Sequence, residues 1–353
     1  MNETWFAILV FMLTVFALLD GWNIGAGIVH HLVGRDDAQR RTVVAALGPY
    51  WSWHEVWLIA FGGVLFVAFP VALATVLPGF YLAVMMLLWS LVLRGMALEI
   101  GGHLKDPLWR SFWDGMFTLG SVLLALLIGV GLGNLVRGVP LAKAGEGFWM
   151  PLFTDFTGYG QVGLIDWYTV LTGVFTVAAL GAHGASYLAL KTTGPVNRQA
   201  TIVTRRLWLL TAVLLVAVTA GTALLRPELF SGMLANPVAW VGAVVLLGGG
   251  GALLFGLLTG HEPPTFLGGC ALIAGLFICG GAGTYPVMLH STLDPAASLT
   301  AAQAAVNTSP GTALVWWPLS LVLVAVYFTI FMRVYAGKVG AGGNGGGYGS
   351  EHG

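Results

Sequence analysis

The sequence predicts an all-α integral membrane protein of about nine transmembrane helices, and three observations carry that prediction. Only 8% of the 353 residues are charged and 57% are hydrophobic. A soluble domain carries about 25% charged residues, so too few charges are present to cover a water-facing surface. The apolar residues lie in long continuous runs, not in the ~10-residue alternating segments of an outer-membrane barrel. The 51 glycines and 14 tryptophans suit packed spanning helices and their membrane interfaces. A soluble enzyme, a disordered chain and a nucleic-acid binder relying on a basic face are excluded; no nucleic-acid partner is expected.

A hydrocarbon core of about 30 Å needs about 20 apolar residues per helix. The first run, 5–31, follows MNET, which lacks the positive n-region of a signal peptide. It is read as a retained helix. The second, 48–69, ends at Phe69-Pro70, and the third, 78–101, carries Arg94 and Glu99. The fourth, 112–136, holds Gly129, Gly131 and Gly133; the fifth, 163–190, holds His183. Runs 205–225 and 233–258 follow, the latter with Gly248–Gly251. Run 265–289 contains Cys270 and Cys279. Nine positions turn a helix through about 900°, so these thiols point to opposite faces and form no bridge. The ninth helix, 312–335, starts near Trp316 and Trp317, an aromatic pair suited to an interfacial anchor or to a quinone or lipid groove.

Gly62-Gly63 with Phe69-Pro70-Val71 is echoed by Gly280-Gly281 with Tyr285-Pro286-Val287. The echo fits one polytopic domain over 1–336, with a four-helix bundle at 5–136, a second at 163–289 and an extra helix at 312–335. The Gly-rich tail 337–353 is expected to be disordered. Basic residues set the orientation. With connections assigned alternately to two sides, one side holds Arg35, Arg40, Arg41, Lys105, Arg110, Lys191, Arg198, Arg205, Arg206, Arg333 and Lys338. The other holds Arg137, Lys143 and Arg226. The bias places the N-terminus outside and the C-terminus in the cytoplasm.

Ionisable groups in lipid are costly and are functional or paired. Here they are Asp20, His54, Glu55, Arg94, Glu99 and His183. At ~1.5 Å per residue, Asp20 lies about 16 Å above the cytoplasmic end of its helix, Glu55 about 11 Å and Arg94 about 11 Å. Two acids sharing the cytoplasmic half with one arginine make either a structural ion cluster, with Glu99 beside Arg94, or part of a proton route. Ser52 and Glu55 share a helix face, while His54 points elsewhere. His183 could ligate a haem iron or bond a neighbouring helix, and no second His matches it in depth. No metal site is expected in this chain. No glycine run has the strand before it or the Lys-Ser/Thr ending of a phosphate loop.

These residues resemble a family. Leu19-Asp20-Gly21, Gly34-Arg35-Asp36-Asp37, Trp51, Glu55-Val56-Trp57-Leu58, Gly62-Gly63, Gly79-Phe80-Tyr81, Leu93-Arg94-Gly95, Trp113-Asp114, Gly133-Asn134, Asp166-Trp167-Tyr168 and His183-Gly184 stand in the order and spacing of subunit II of cytochrome bd-type quinol oxidases. The resemblance runs from about residue 5 to about 340. It implies a bacterial cytoplasmic (inner) membrane enzyme complex that oxidises quinol and reduces oxygen to water. It also implies a larger partner, subunit I, carrying haem b and haem d, with room for small single-helix accessory subunits. The catalytic centres are expected in that partner and none in this chain. This subunit would support the partner, line proton access from the cytoplasm and, as in some members, hold a structural quinone or lipid.

One departure stands out. The family's Gly-Pro-x-Trp-Asp-Gly/Ala-Asn-Glu/Gln-Val-Trp is here Gly48-Pro49-Tyr50-Trp51-Ser52-Trp53-His54-Glu55-Val56-Trp57. Asn23 likewise stands where the family often has Asp. A serine relays a proton through water but cannot store charge near neutral pH. The proton path is therefore expected at Glu55, with Ser52, His54 and Asp20, in a divergent branch of the family. The competing reading is a secondary ion or small-molecule transporter. Pro70 and Pro286 lie near helix ends rather than at the midplane breaks transporters use, which weighs against it.

Overall fold

A computed structural model describes residues 2–48, 51–104, 106–305 and 311–340, with Trp51, 311–316 and 331–332 described in backbone only. Pro49, Tyr50, Lys105 and most of the Gly-rich tail lie outside the described residues. The helices are α1 (Asn2–Ile28), α2 (His30–Val33), α3 (Asp37–Leu47), α4 (Trp51–His54), α5 (Val56–Ala68), α6 (Pro70–Gly79), α7 (Tyr81–Ile100) and α8 (Pro107–Arg137). They continue as α9 (Trp167–Lys191), α10 (Gly194–Leu225), α11 (Pro227–Ala235), α12 (Pro237–Thr259), α13 (Glu262–Thr284), α14 (Ala301–Ala304) and α15 (Gly311–Val334). Strands β1 (Val287–Leu289) and β2 (Leu299–Thr300) pair antiparallel.

Among the described residues eight stretches are long and apolar enough to cross a membrane, and α15 adds 24 residues whose apolar part includes Trp317–Ile330. Their starts are written in side chains that satisfy orphan backbone N–H groups. Asp36 accepts from Gln39 N, Asp106 from Trp109 N and Asn236 from Val238 N. Asp166 and Thr169 form a reciprocal capping box on α9. Pro70, Pro107, Pro227 and Pro237 sit in first turns, where a missing N–H costs nothing.

The apolar runs conceal breaks. Within the expected helix 48–69, α4 and α5 meet at Glu55, which keeps helical dihedrals. Residues 70–79 and 227–235 form short separate helices that fill the expected connections and take in the first residues of the expected helices 78–101 and 233–258. The expected helix 265–289 stops at Thr284; Tyr285 is extended, and 287–289 is strand. The start of the tail is also ordered. Val339 N donates to Lys191 O at 2.7 Å, Thr193 N donates to Val339 O at 3.0 Å, and Lys338 pairs with Glu262.

α1 is the axle of the molecule. It packs against α5, α8, α9 and α13. The α1–α9 contact is backbone to backbone. A Cβ on Gly25 would run into the Leu180 carbonyl, and one on Gly184 into the backbone of Gly25 and Ala26. The faces turned away from this core, with Ile59, Trp89, Val216 and Leu247, are exposed and apolar, as lipid or a membrane partner requires.

The two long connections, 138–166 and 285–305, pack together as a cap over the start of α1. Val139 N donates to His290 O at 2.9 Å, Thr292 N donates to Val139 O at 3.0 Å, and Ser291 Oγ donates to Leu141 O at 2.7 Å. Arg137, counted in the sequence as a loop charge, is fully buried beneath the cap. It pairs with Asp166 and donates to Asn134 Oδ1 at 2.6 Å and Gly163 O at 3.2 Å.

Candidate functional site

Three of the predicted intramembrane charges meet. Arg94 on α7 is wholly buried; its Nη1 donates to Asp20 Oδ2 at 3.1 Å and its Nη2 to Asp20 Oδ1 at 2.8 Å. The same Nη2 donates to Glu55 Oε1 at 3.2 Å. The bidentate fork uses the planar geometry that distinguishes guanidinium from ammonium. Asp20 is as buried as Arg94, whereas the Glu55 side chain keeps 26% of its surface. The site therefore has one inner carboxylate and one carboxylate at its edge.

A polar arm extends the cluster. Asn23 Nδ2 donates to Asp20 Oδ1 at 3.3 Å and stands 2.7 Å from His54 Nδ1. His54 is fully buried and sits edge-on to Trp22 at 5.1 Å. Neighbouring residues stand only about 100° apart on a helix, so His54 and Glu55, where α4 meets α5, both reach the cluster that α1 and α7 supply.

Ser52 and Glu99 lie elsewhere, against expectation. Ser52 is exposed toward a groove between α4, α5 and α15 and has no place in the cluster, because it shares a groove-lining face with Val56, one turn on. Glu99 is exposed and makes no ion pair among the described residues. Five residues beyond Arg94 are about 140° around the helix, which turns it away from the guanidinium. His183 bonds a neighbouring helix: its Nε2 lies 3.0 Å from Leu18 O, and its ring stacks on Phe266 at 5.2 Å. No group of three or more His, Cys, Asp or Glu among the described residues has the arrangement of a metal site. Cys270 and Cys279 are free thiols.

The family model for cytochrome bd terminal oxidase subunit II matches residues 1–335. This chain belongs to that family. It is 34% identical over 193 residues to the cytochrome bd-I ubiquinol oxidase subunit 2 of Escherichia coli K12, covering 55% of this chain and 49% of that protein. It is 31% identical over 205 residues to a probable cytochrome oxidase subunit 2 of Haemophilus influenzae, covering 57% and 52%. It is 29% identical over 225 residues to the cytochrome bd ubiquinol oxidase subunit 2 of Bacillus subtilis, covering 64% and 62%. The chain thus spans about half the length of the first two relatives. A chain in the structure of bd oxidase from Geobacillus thermodenitrificans shares the fold. Its TM-score is 0.71 at 17% identity, over 95% of this chain and 98% of that one.

Within this subunit II the groove beside Ser52 has a volume of about 540 Å³. Trp53, Trp57, Trp317, Tyr327 and Phe328 line it, and Trp53 stacks on Tyr327 at 4.6 Å. Trp317 is therefore a groove residue that also meets Trp5 edge-on at 6.4 Å. The side chain of Trp316 lies outside the described residues. Sequence reasoning missed the buried Arg137–Asp166 pair and the pair of His30 with Asp114, 3.1 Å apart. Asp114, Asn134 and Asp166 all fall within the motifs quoted for the family resemblance, which was the available signal.

Proposed function

We propose that this chain is the haem-free subunit II of a quinol-oxidising, oxygen-reducing complex in a bacterial inner membrane. In this reading nine helices span the bilayer, with the N-terminus and the cap outside and the C-terminus in the cytoplasm. Subunit I is the partner, and its haems b and d supply the electron transfer and oxygen chemistry. This subunit buttresses the partner through its exposed apolar faces and gives protons a way inward from the cytoplasm.

One observation carries the proton role: Arg94 is held by two carboxylates, Asp20 and Glu55, inside a membrane-length bundle. Two carboxylates to one guanidinium leave an excess negative charge that one proton cancels. Glu55, at the edge of the cluster, exchanges that proton; Asp20 fixes Arg94; and Asn23 with His54 extends the polar path. Ser52 takes no direct part, and Glu99 is set aside from the cluster. The groove at Trp317 has the volume and apolar lining of a small-molecule site and suits a quinone or lipid tail.

The test is Glu55→Gln in the assembled complex, assayed for quinol-driven oxygen uptake. A loss of turnover of about tenfold or more is expected, within the range that positioned proton transfer supplies. Unchanged turnover removes Glu55 from the route. Stoichiometric haem co-purifying with the chain separates this reading from a transporter, for which a haem-free protein with ion flux is the expected result.

A further inference from the structure

The buried cluster needs a connection to the cytoplasm, and one face of α1 holds the residues for it. Asp20, Asn23, Gly27 and His30 follow the 3-4-3 spacing that keeps side chains on one helical stripe, carried through the turn at Val29 into α2. At its lower end His30 is fully buried, yet its Nε2 lies 3.1 Å from Oδ1 of Asp114, whose side chain keeps 21% of its surface. Asp114 is also held by Arg40 Nε at 2.9 Å, and Arg40 pairs in turn with Asp37. His31 packs edge-on to His30 at 5.3 Å.

Above this pair lies a series of buried polar atoms without a protein partner: His30 Nδ1, Ser121 Oγ, Asn23 Oδ1 and Arg94 Nε. Ser121 belongs to the same line. It presses on α1 at Gly27, where any Cβ would collide with its Oγ. Its neighbour Gly120 lies against the backbone of Arg94, with N at 3.1 Å from the position of a Cβ. One orphan per turn, from Asp114 to Asp20, is an arrangement that packing alone does not call for. Buried polar atoms in proteins are almost always bonded, by ordered water where no protein atom serves.

We propose that a file of waters along this stripe of α1 is the proton inlet of the cluster, with Asp114 and His30 as its mouth and Ser121 and Asn23 as its rungs. From Gly27 to Asp20 the rise is about 10 Å, a span for three or four waters. The proton balance is simple. Asp114 takes up a proton and passes it to His30 Nε2 as Nδ1–H gives its own proton to the file. The pair is left as a carboxylate and the other imidazole tautomer, and rotation of the ring resets it. The two distinct ring nitrogens are what the step requires. This inference rests on the proton role of the cluster proposed above and assigns its inlet.

The experiment uses the assembled complex with normal haem content as the check on folding. Proton uptake after electron input is timed in the parent, Glu55→Gln, His30→Gln, and His30→Ala with and without added imidazole. Asp114→Asn replaces His30→Gln if the latter fails to assemble. The inlet predicts at least tenfold slower uptake in His30→Gln and recovery of His30→Ala by imidazole. Slowing in Glu55→Gln with threefold or less in His30→Gln overturns the inlet and leaves the cluster's role standing. Slowing in His30→Ala that imidazole does not relieve marks a structural residue and overturns the relay. No slowing in Glu55→Gln removes the proton role itself, and the inlet with it.

Discussion

Replacing Arg94 with leucine tests whether the cluster is a paired unit. The guanidinium makes three hydrogen bonds to two carboxylates, and both Arg94 and Asp20 are fully buried. Removing one partner of a buried pair costs about 3–5 kcal/mol, because the other charge is left uncompensated. Replacing both partners by apolar residues of similar volume is often close to neutral. Arg94→Leu should therefore lower the stability of the purified complex in detergent by about 3–5 kcal/mol. Adding Asp20→Leu should recover most of that loss, since Glu55 is not fully buried. Chemical-denaturant titration of parent, both single variants and the double variant gives the coupling directly. Two results would refute the reasoning: an Arg94→Leu protein as stable as the parent, or a double variant whose loss is the sum of the two singles.

Three further predictions concern the fold around the site. Gly25→Ala should destabilise by about 1–3 kcal/mol through overpacking, since a Cβ there strikes the Leu180 carbonyl. Gly131→Ala, with nothing within 4 Å, should be neutral or stabilising; thermal midpoints compare them. Arg137→Met should cost about 3–5 kcal/mol, because it leaves Asp166 buried and unpaired, and Asp166→Ala more than Asp166→Asn, because asparagine still caps α9; an Arg137→Met protein as stable as the parent in denaturant titration would contradict the pairing. His290, in the cap, is pushed down from 6.5 to about 4 by burial and by Arg226, against the opposing pull of Glu228. Its folded value lies below its unfolded one, so its contribution is complete above about 6.5 and is lost as pH falls toward about 4. His290→Gln should flatten that limb of the midpoint-versus-pH curve, and an unchanged slope would rule it out.

The spanning helices are legible in the sequence because each needs a run of about 20 apolar residues, and such runs are hard to conceal. Depth arithmetic along those runs is enough to bring Asp20, Glu55 and Arg94 into the same half of the membrane. What hides is which way a side chain faces within a run. Spacing puts Ser52 on the face of Glu55, but His54 is only about 100° from Glu55, and in the structure His54, not Ser52, joins Glu55 at the cluster. Glu99 fails for a similar reason: nearness along the chain says nothing of the 140° between it and Arg94. The cap and the Arg137–Asp166 pair are invisible because connections carry no hydrophobic period, and their partners lie far apart in sequence.

In the proposed proton role, Glu55 exchanges protons at the edge of a buried cluster for a partner's chemistry. Time-resolved proton uptake by the membrane-reconstituted complex, with electron input followed in the same trace, tests this most directly. Glu55→Gln should leave the first electron transfer at the parent rate and slow proton uptake by about tenfold or more. Proton uptake at the parent rate, with electron transfer equally unaffected, would contradict it.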